Sequence, residues 1–432
     1  KNRDATLNLA YMYVNSNMIN EAIAEYQIIL KNKKDLQTMF NLAICFLSLN
    51  KFVESEKILR KIIKIDKNHF KANRALGDIY YNLNNLTKAY KFLSTAKKLM
   101  PKDPILLNIL GAIEMKRSNF EVSEKYFMES LRNKKDYKSA LNNLAALYQK
   151  IGKIEKSEKI FSKLLLIFPN DQKLLNNLGN VLIDLNRYKD AIKLIKKAIS
   201  INSSESSFFS NLGRALFFLG KYKEAEKILI NSLNLNPNNH EARLMFFYLL
   251  IVKNDLKKAW LYFEARLNVK NYFIPKNLNI IKNIKNKKIL VLREAGLGDE
   301  ILYSSLYPEL IKNNNNIVIE CDQRLKSIYK RSFNYDKFIL KSLNLKSKPN
   351  TEKFDFSIYA GSLCGIFRNN LSDFKYKKYL KPNTELVNYF QKKLTNINQL
   401  PKIGISWIST RLDLGKDKSI ELKELLPIFK RK

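Results

Sequence analysis

Leu175 to Ser200 read LNNLGNVLIDLNRYKDAIKLIKKAIS, and two small residues within them, Gly179 and Ala191, decide the fold. Leu178 precedes Gly179 and Leu182 follows it by three positions, which sets an apolar face on a first helix. A second helix opens around Ala191. Moving outward, the same arrangement recurs about every 34 residues. The Gly179 column contains Ala10, Ala43, Gly77, Gly111, Ala145 and Gly213, with Phe247 as its degenerate last member. Beside it run Leu9, Leu42, Leu76, Leu110, Leu144 and Leu212, then Tyr13, Phe46, Tyr80, Tyr148 and Leu216. The Ala191 column contains Ala22, Ser55, Ala89, Ser123, Ser157, Ala225 and Ala259. Small residues at registered positions let paired helices approach closely. Pro101, Pro169 and Pro237 fall where the second helix must stop, because proline cannot continue it.

Period and columns together resemble the tetratricopeptide repeat. The resemblance implies an α-solenoid of about eight helix pairs over residues 1–267, with a groove for a peptide or protein ligand. Asn142, Asn143, Asn176, Asn177 and Asn211 read as exposed on first-helix faces, placed to pair with a peptide backbone.

A chain of 432 residues exceeds one ordinary core, so at least two folding units are expected. Its formal charge of +37 invites a nucleic-acid reading. The lysines, however, are spread along the whole chain and form no patch, so no specific nucleic-acid partner is expected. The greasiest stretch, Leu244 to Val252, is about half a membrane span, and no transmembrane segment is expected. Cys45, Cys321 and Cys364 are far apart and make no disulfide or metal framework, which favours a reducing, cytoplasmic setting. His69 and His240 are the only histidines, too few for a histidine metal site, and both read as surface residues of repeat loops. Repeat pattern begins almost at Lys1 without a signal-peptide succession, so the natural N-terminus is expected to lie upstream.

Lys258 to Arg266 read KAWLYFEAR, which is similar to the G-W-x-x-Y-E-x-R-W signature of last repeats that precede glycosyltransferase-like domains in bacterial proteins. The plain reading is a packed Trp260 and Phe263 with Glu264 and Arg266 paired on the surface. Residues 268–285 read as a polar linker containing Pro275. Beyond it the period shifts to buried-strand runs at 288–292, 317–321, 337–340, 354–359 and 402–407, alternating with helices. This order predicts a parallel, doubly wound sheet, a Rossmann-like domain over 286–400. A dinucleotide site fails on two counts. Ile301 stands at the third glycine position, and Asp299 would repel a pyrophosphate from the helix start.

Gly296-Leu297-Gly298-Asp299, Pro308, Glu320 to Leu325, Phe354-Asp355, Gly404 to Trp407 and Gly415 to Ile420 resemble, in order and spacing, the ADP-heptose heptosyltransferases and their repeat-fused relatives. That resemblance implies a GT-B fold, with 286–400 as its N-terminal lobe and 401–432 as the start of a truncated second lobe. It further implies metal-independent, inverting transfer from a nucleotide-sugar donor, with no cofactor. Asp299 would be the general base, and Gly296 and Gly298 would let the acceptor approach the backbone. Ser409, Thr410, Arg411 and Lys418 would hold the donor phosphates. The alternative is a protein-interaction scaffold whose α/β unit is not catalytic. Asp299 then only caps a helix, and Lys416 and Lys418 are a solvated charge run.

Overall fold

The second small column is the best-obeyed rule in the chain: Ala22, Ser55, Ala89, Ser123, Ser157, Ala191, Ala225 and Ala259 are all fully buried. Their burial follows from helix pairing, seen throughout the computed structural model, which describes residues 3–32, 35–269, 272–274, 287–314, 316–341, 351–375 and 378–395. The described residues fall into two compact units, divided after Val181.

In the first unit the helices are α1 (Arg3–Asn15), α2 (Ile19–Asn32), α3 (Leu36–Ser48), α4 (Phe52–Ile65), α5 (Phe70–Asn82) and α6 (Leu86–Leu99). They continue as α7 (Pro104–Lys116), α8 (Phe120–Asn133), α9 (Lys138–Lys150), α10 (Ile154–Ile167) and α11 (Gln172–Asp184), whose last residues belong to the second unit. At Gly111 an added Cβ would lie 2.6 Å from the Phe127 ring of the paired helix, so a side chain there meets a packed partner. Asp35 and Asp103 cap α3 and α7 by accepting hydrogen bonds from amides of the first turn. His69 does the same for α5 through Nδ1, so the residue stands in the inter-helix loop, as expected, and caps the helix from there.

In the second unit the pairs continue as α12 (Tyr188–Ile201), α13 (Ser206–Phe218), α14 (Tyr222–Leu235), α15 (His240–Val252) and α16 (Leu256–Phe263). Pro169 and Pro237 lie directly after the caps of α10 and α14, Phe168 and Asn236. Between the members of every pair stands one residue in the left-handed region: Asn17, Asn50, Asn84, Ser118, Gly152, Asn186, Gly220 and Asn254. Asparagine and glycine tolerate that conformation, so part of the asparagine content is a turn requirement.

A short α17 (Ala265–Val269) ends the repeats, and the described residues beyond it form a parallel sheet of four strands, ordered β3-β2-β1-β4. Its elements are β1 (Ile289–Leu292), α18 (Leu297–Ser304), α19 (Tyr307–Asn313), β2 (Ile317–Cys321), α20 (Gln323–Phe333), β3 (Phe338–Leu340) and β4 (Phe356–Tyr359). After these come α21 (Cys364–Phe367) and α22 (Thr384–Thr395). Pro308 is the second residue of α19, in the first turn, where its missing N–H costs no helical hydrogen bond. Register pairs Ile289 with Ile317 and with Phe356, and Ile319 with Phe338. All four β1 residues are buried, as a central parallel strand covered on both faces requires. Ile289 and Val291 pack among Tyr307, Leu310 and Tyr329, while Leu290 and Leu292 pack against Leu267 of α17 and Tyr359. The strand expected at 402–407, the second lobe at 401–432 and Pro275 lie outside the described residues.

Candidate functional site

Strand order reverses between β1 and β4, and open α/β sheets take ligands outside the strands' carboxyl ends at such a reversal. Two consecutive buried charges of the β1 loop organise that end of β1, and they face different partners.

Arg293 is 3% exposed. Its Nε donates to Glu300 Oε2 at 2.5 Å, Nη2 to Asp322 Oδ2 at 2.7 Å and Nη1 to the Lys341 carbonyl at 3.1 Å. The Asp322 amide donates to Glu300 Oε1 at 2.8 Å, closing the network. Burial holds the Glu300 carboxyl above its usual range, while the Arg324 guanidinium beside Asp322 holds that carboxyl well below its own. This ties the ends of β1 and β2 to α18 and α20.

Glu294 faces the last repeat instead. Arg266 grips it with Nε and Nη2, both at 2.9 Å, a fork-to-fork pair. Arg266 Nη2 also donates to Ser362 Oγ at 2.9 Å, and Nη1 to Glu264 Oε1 at 3.0 Å and the Phe263 carbonyl at 3.1 Å. Its guanidinium lies 3.9 Å from the Phe263 ring centroid. Burial works against the Arg266 charge, but Glu294 and then Glu264 outweigh it and raise its pKa. Glu294 Oε1 in turn accepts from the Gly361 amide, in the turn that follows β4. A Cβ on Gly361 would stand 2.7 Å from that oxygen, so the close approach needs glycine. Glu264 and Arg266 are bonded as expected, but they are not a surface pair: only the fold reveals Glu294 as the partner that buries Arg266.

Beside this lock opens a cavity of about 430 Å³. Leu244, Phe247, Trp260 and Phe263 wall it from the last helix pair, and Ala295, Asp299, Leu302, Tyr303, Cys364, Arg368 and Phe374 wall it from the α/β segment. Trp260 meets Phe263 edge to face at 5.4 Å, confirming their packing, and its Nε1 donates to the Arg368 carbonyl at 2.6 Å. Arg368 is held by both oxygens of Glu309, at 3.0 and 2.7 Å. Burial pushes the Cys364 thiol up to about 12 and raises Tyr303 further, so neither ionises at neutral pH.

Asp299 lines this cavity. Gly296 is the cap of α18, and the Asp299 carboxylate reaches back to its amide at 3.3 Å, a long bond. The left-handed residue of the turn is Ala295, with φ of 60°, a conformation alanine seldom adopts. Gly296 and Gly298 are exposed, and a Cβ at Gly298 would meet nothing within 4 Å. Neither glycine is required by its own backbone or by neighbours within 3.9 Å. Ser409, Thr410, Arg411 and Lys418 lie outside the described residues.

The asparagines expected to face a peptide are instead partly or wholly buried and engaged. Asn143 Nδ2 donates to Asn108 Oδ1, and Asn177 Nδ2 to Asn142 Oδ1, both at 3.0 Å. Asn176 is 7% exposed, and it and Asn211 also have partners.

Two tetratricopeptide repeat models match the chain, one over residues 136–204 and one over 182–245. Protein FlbA of Caulobacter vibrioides is 20% identical over 183 residues, which are 38% of this chain and 31% of that protein. The match therefore spans about a third of the relative's length. Among solved structures, a tetratricopeptide repeat protein from Parabacteroides merdae aligns at 15% identity over 57% of this chain and 98% of its own, with a TM-score of 0.49. Yeast Tom70 aligns at 18% identity over 62% of this chain and 60% of its own, with a TM-score of 0.42. No described helix is long and apolar enough to cross a membrane. With two repeat models matched in sequence and helix pairs continuing in register on either side of them, this chain carries tetratricopeptide repeats.

Proposed function

We propose that this chain is a protein-interaction scaffold whose repeats take an extended or helical peptide of a partner. The observation that carries it is the run of helix pairs, an architecture that multiplies solvent-facing surface on its first helices. Those helices present Tyr11, Ile44, Ile105, Phe218 and Tyr248 to solvent, each more than a third exposed. The test is a peptide library bound to the whole chain and to an Ile44→Lys, Ile105→Lys variant, which keeps the buried columns intact. Peptides that bind the parent and lose at least about tenfold in the variant support the reading. A library without binders, or binders indifferent to all five positions when each is changed to lysine, removes it.

A second reading is sugar transfer, favoured by Asp299 lining the cavity at a glycine turn. In it the acceptor hydroxyl passes its proton to Asp299 while its oxygen attacks the anomeric carbon with inversion, and the nucleoside diphosphate departs with the bonding electrons. Ser409, Thr410, Arg411 and Lys418 would stabilise that leaving group. Nucleoside-diphosphate release from a panel of sugar nucleotides, measured for the full-length protein and its Asp299→Asn variant, decides it. Release that collapses in the variant supports transfer. Release that persists removes Asp299 as base, and no release across the panel removes the reading.

A further inference from the structure

The cavity beside Asp299 has a charge balance opposite to that of the chain. Its guanidiniums are both taken, Arg266 by Glu264 and Glu294, and Arg368 by Glu309. Among the described residues Asp299 has no ion-pair partner and accepts only the long bond from Gly296. Among the described residues that line the cavity or bond those that do, four carboxylates thus face two guanidiniums, in a protein whose formal charge is +37. The walls are aromatic, and this aromatic cluster already holds cations: Arg266 over Phe263 at 3.9 Å and Arg368 over Phe374 at 5.9 Å. Phe247 and Trp260 line the same space without such a partner of their own among the described contacts. At about 430 Å³ the volume falls in the range of small-molecule sites.

We propose that this cavity binds a small organic ammonium ion, its alkyl or aromatic body against Trp260 and Phe247 and its charged nitrogen facing Asp299. An ionised carboxylate can only accept hydrogen bonds, so the ligand must bring a donor or a positive charge. Aromatic faces attract that charge and cover the carbon attached to it. The ligand goes beyond a peptide on the repeats, and it differs from a neutral sugar hydroxyl at Asp299.

Trp260 supplies the signal, because the chain has only one other tryptophan, Trp407. In a Trp407→Phe background, Trp260 fluorescence is titrated with 2-phenylethylammonium, the neutral 2-phenylethanol, the anionic phenylacetate and methyl glucoside. The ammonium ion is expected to bind at least about tenfold more tightly than the alcohol. Asp299→Asn should bring the two within about twofold of each other. That variant also loses a helix-cap bond, so Leu302→Arg is the second test. Leu302 lines the cavity, is 63% exposed, and its replacement leaves the cap intact. Leu302→Arg should weaken the ammonium ion and spare the alcohol. Equal or tighter binding of alcohol, phenylacetate or glucoside overturns the proposal, as does no binding of the ammonium ion up to about 10 mM.

Discussion

Arg266 and Glu294 meet through two parallel hydrogen bonds of 2.9 Å, with 4% and 2% of their surfaces exposed, and so fasten the end of the repeats to the first strand's loop. Taking both charges out of water is costly, and only the complete set of partners offsets it.

Replacing one member should therefore hurt more than replacing both. Arg266→Met leaves Glu294 buried without its cation and is expected to cost about 3–5 kcal/mol in urea unfolding. The Arg266→Met, Glu294→Leu pair should recover much of that loss. A single substitution costing under about 1 kcal/mol would show that water reaches Glu294.

Serines of the second small column divide by partner. Ser123 Oγ donates to the Gly111 carbonyl at 2.8 Å, whereas the buried hydroxyls of Ser55 and Ser157 have no hydrogen-bond partner. Ser157→Ala should thus stabilise by about 1 kcal/mol, and Ser123→Ala should destabilise by about the same amount. Chemical unfolding of both variants checks the pair, and equal signs would refute the distinction.

Ser118 holds a φ of 68° in a turn position that asparagine or glycine fills in the other seven pairs. Ser118→Gly is expected to stabilise by about 0.5–1 kcal/mol, because the left-handed conformation carries no Cβ cost there. A lower thermal midpoint would contradict it.

Asp78 gives a pH signature. Burial pushes its carboxyl up to about 6, Arg74 only partly opposing this and Asp103 adding to it, and its Oδ1 has no hydrogen-bond partner. A folded pKa above the unfolded one, about 3.9, means a contribution fully present below pH ~4 and lost as pH rises through ~6. Asp78→Asn should remove that slope and make the protein about 3 kcal/mol more stable than the parent at pH 8. Unfolding curves between pH 4 and 8 test this, and parallel profiles for the two proteins would dismiss it.

Much of the repeat geometry was legible because it rests on local periodicity: Gly111 and Ala191 announce close helix contacts without knowledge of anything distant. Strands such as Ile289 to Leu292 were legible for the same reason, being continuous apolar runs. Asn143 was misread because its partner, Asn108, lies one repeat away, and a side chain's exposure depends on that neighbour. The left-handed turn column, Asn17 through Asn254, went unread because its asparagines do not stand out among the many others in the chain. Arg266 was misjudged most, since Glu294 lies beyond a linker and no local pattern links the two. Asp299 was found as a motif residue, but the aromatic wall that faces it comes from the last helix pair, which the motif does not contain.

The two asparagine bonds each join residues 35 positions apart, Asn108 to Asn143 and Asn142 to Asn177. Inserting one residue in the turn before α9 would rotate that helix by about 100° if the helix absorbed it, and both bonds, which meet on α9 at Asn142 and Asn143, would be lost. Length change in this part of the gene is therefore quantised: whole repeats can be duplicated or deleted with the amide seam re-forming, while single-codon insertions in the intervening helices break it.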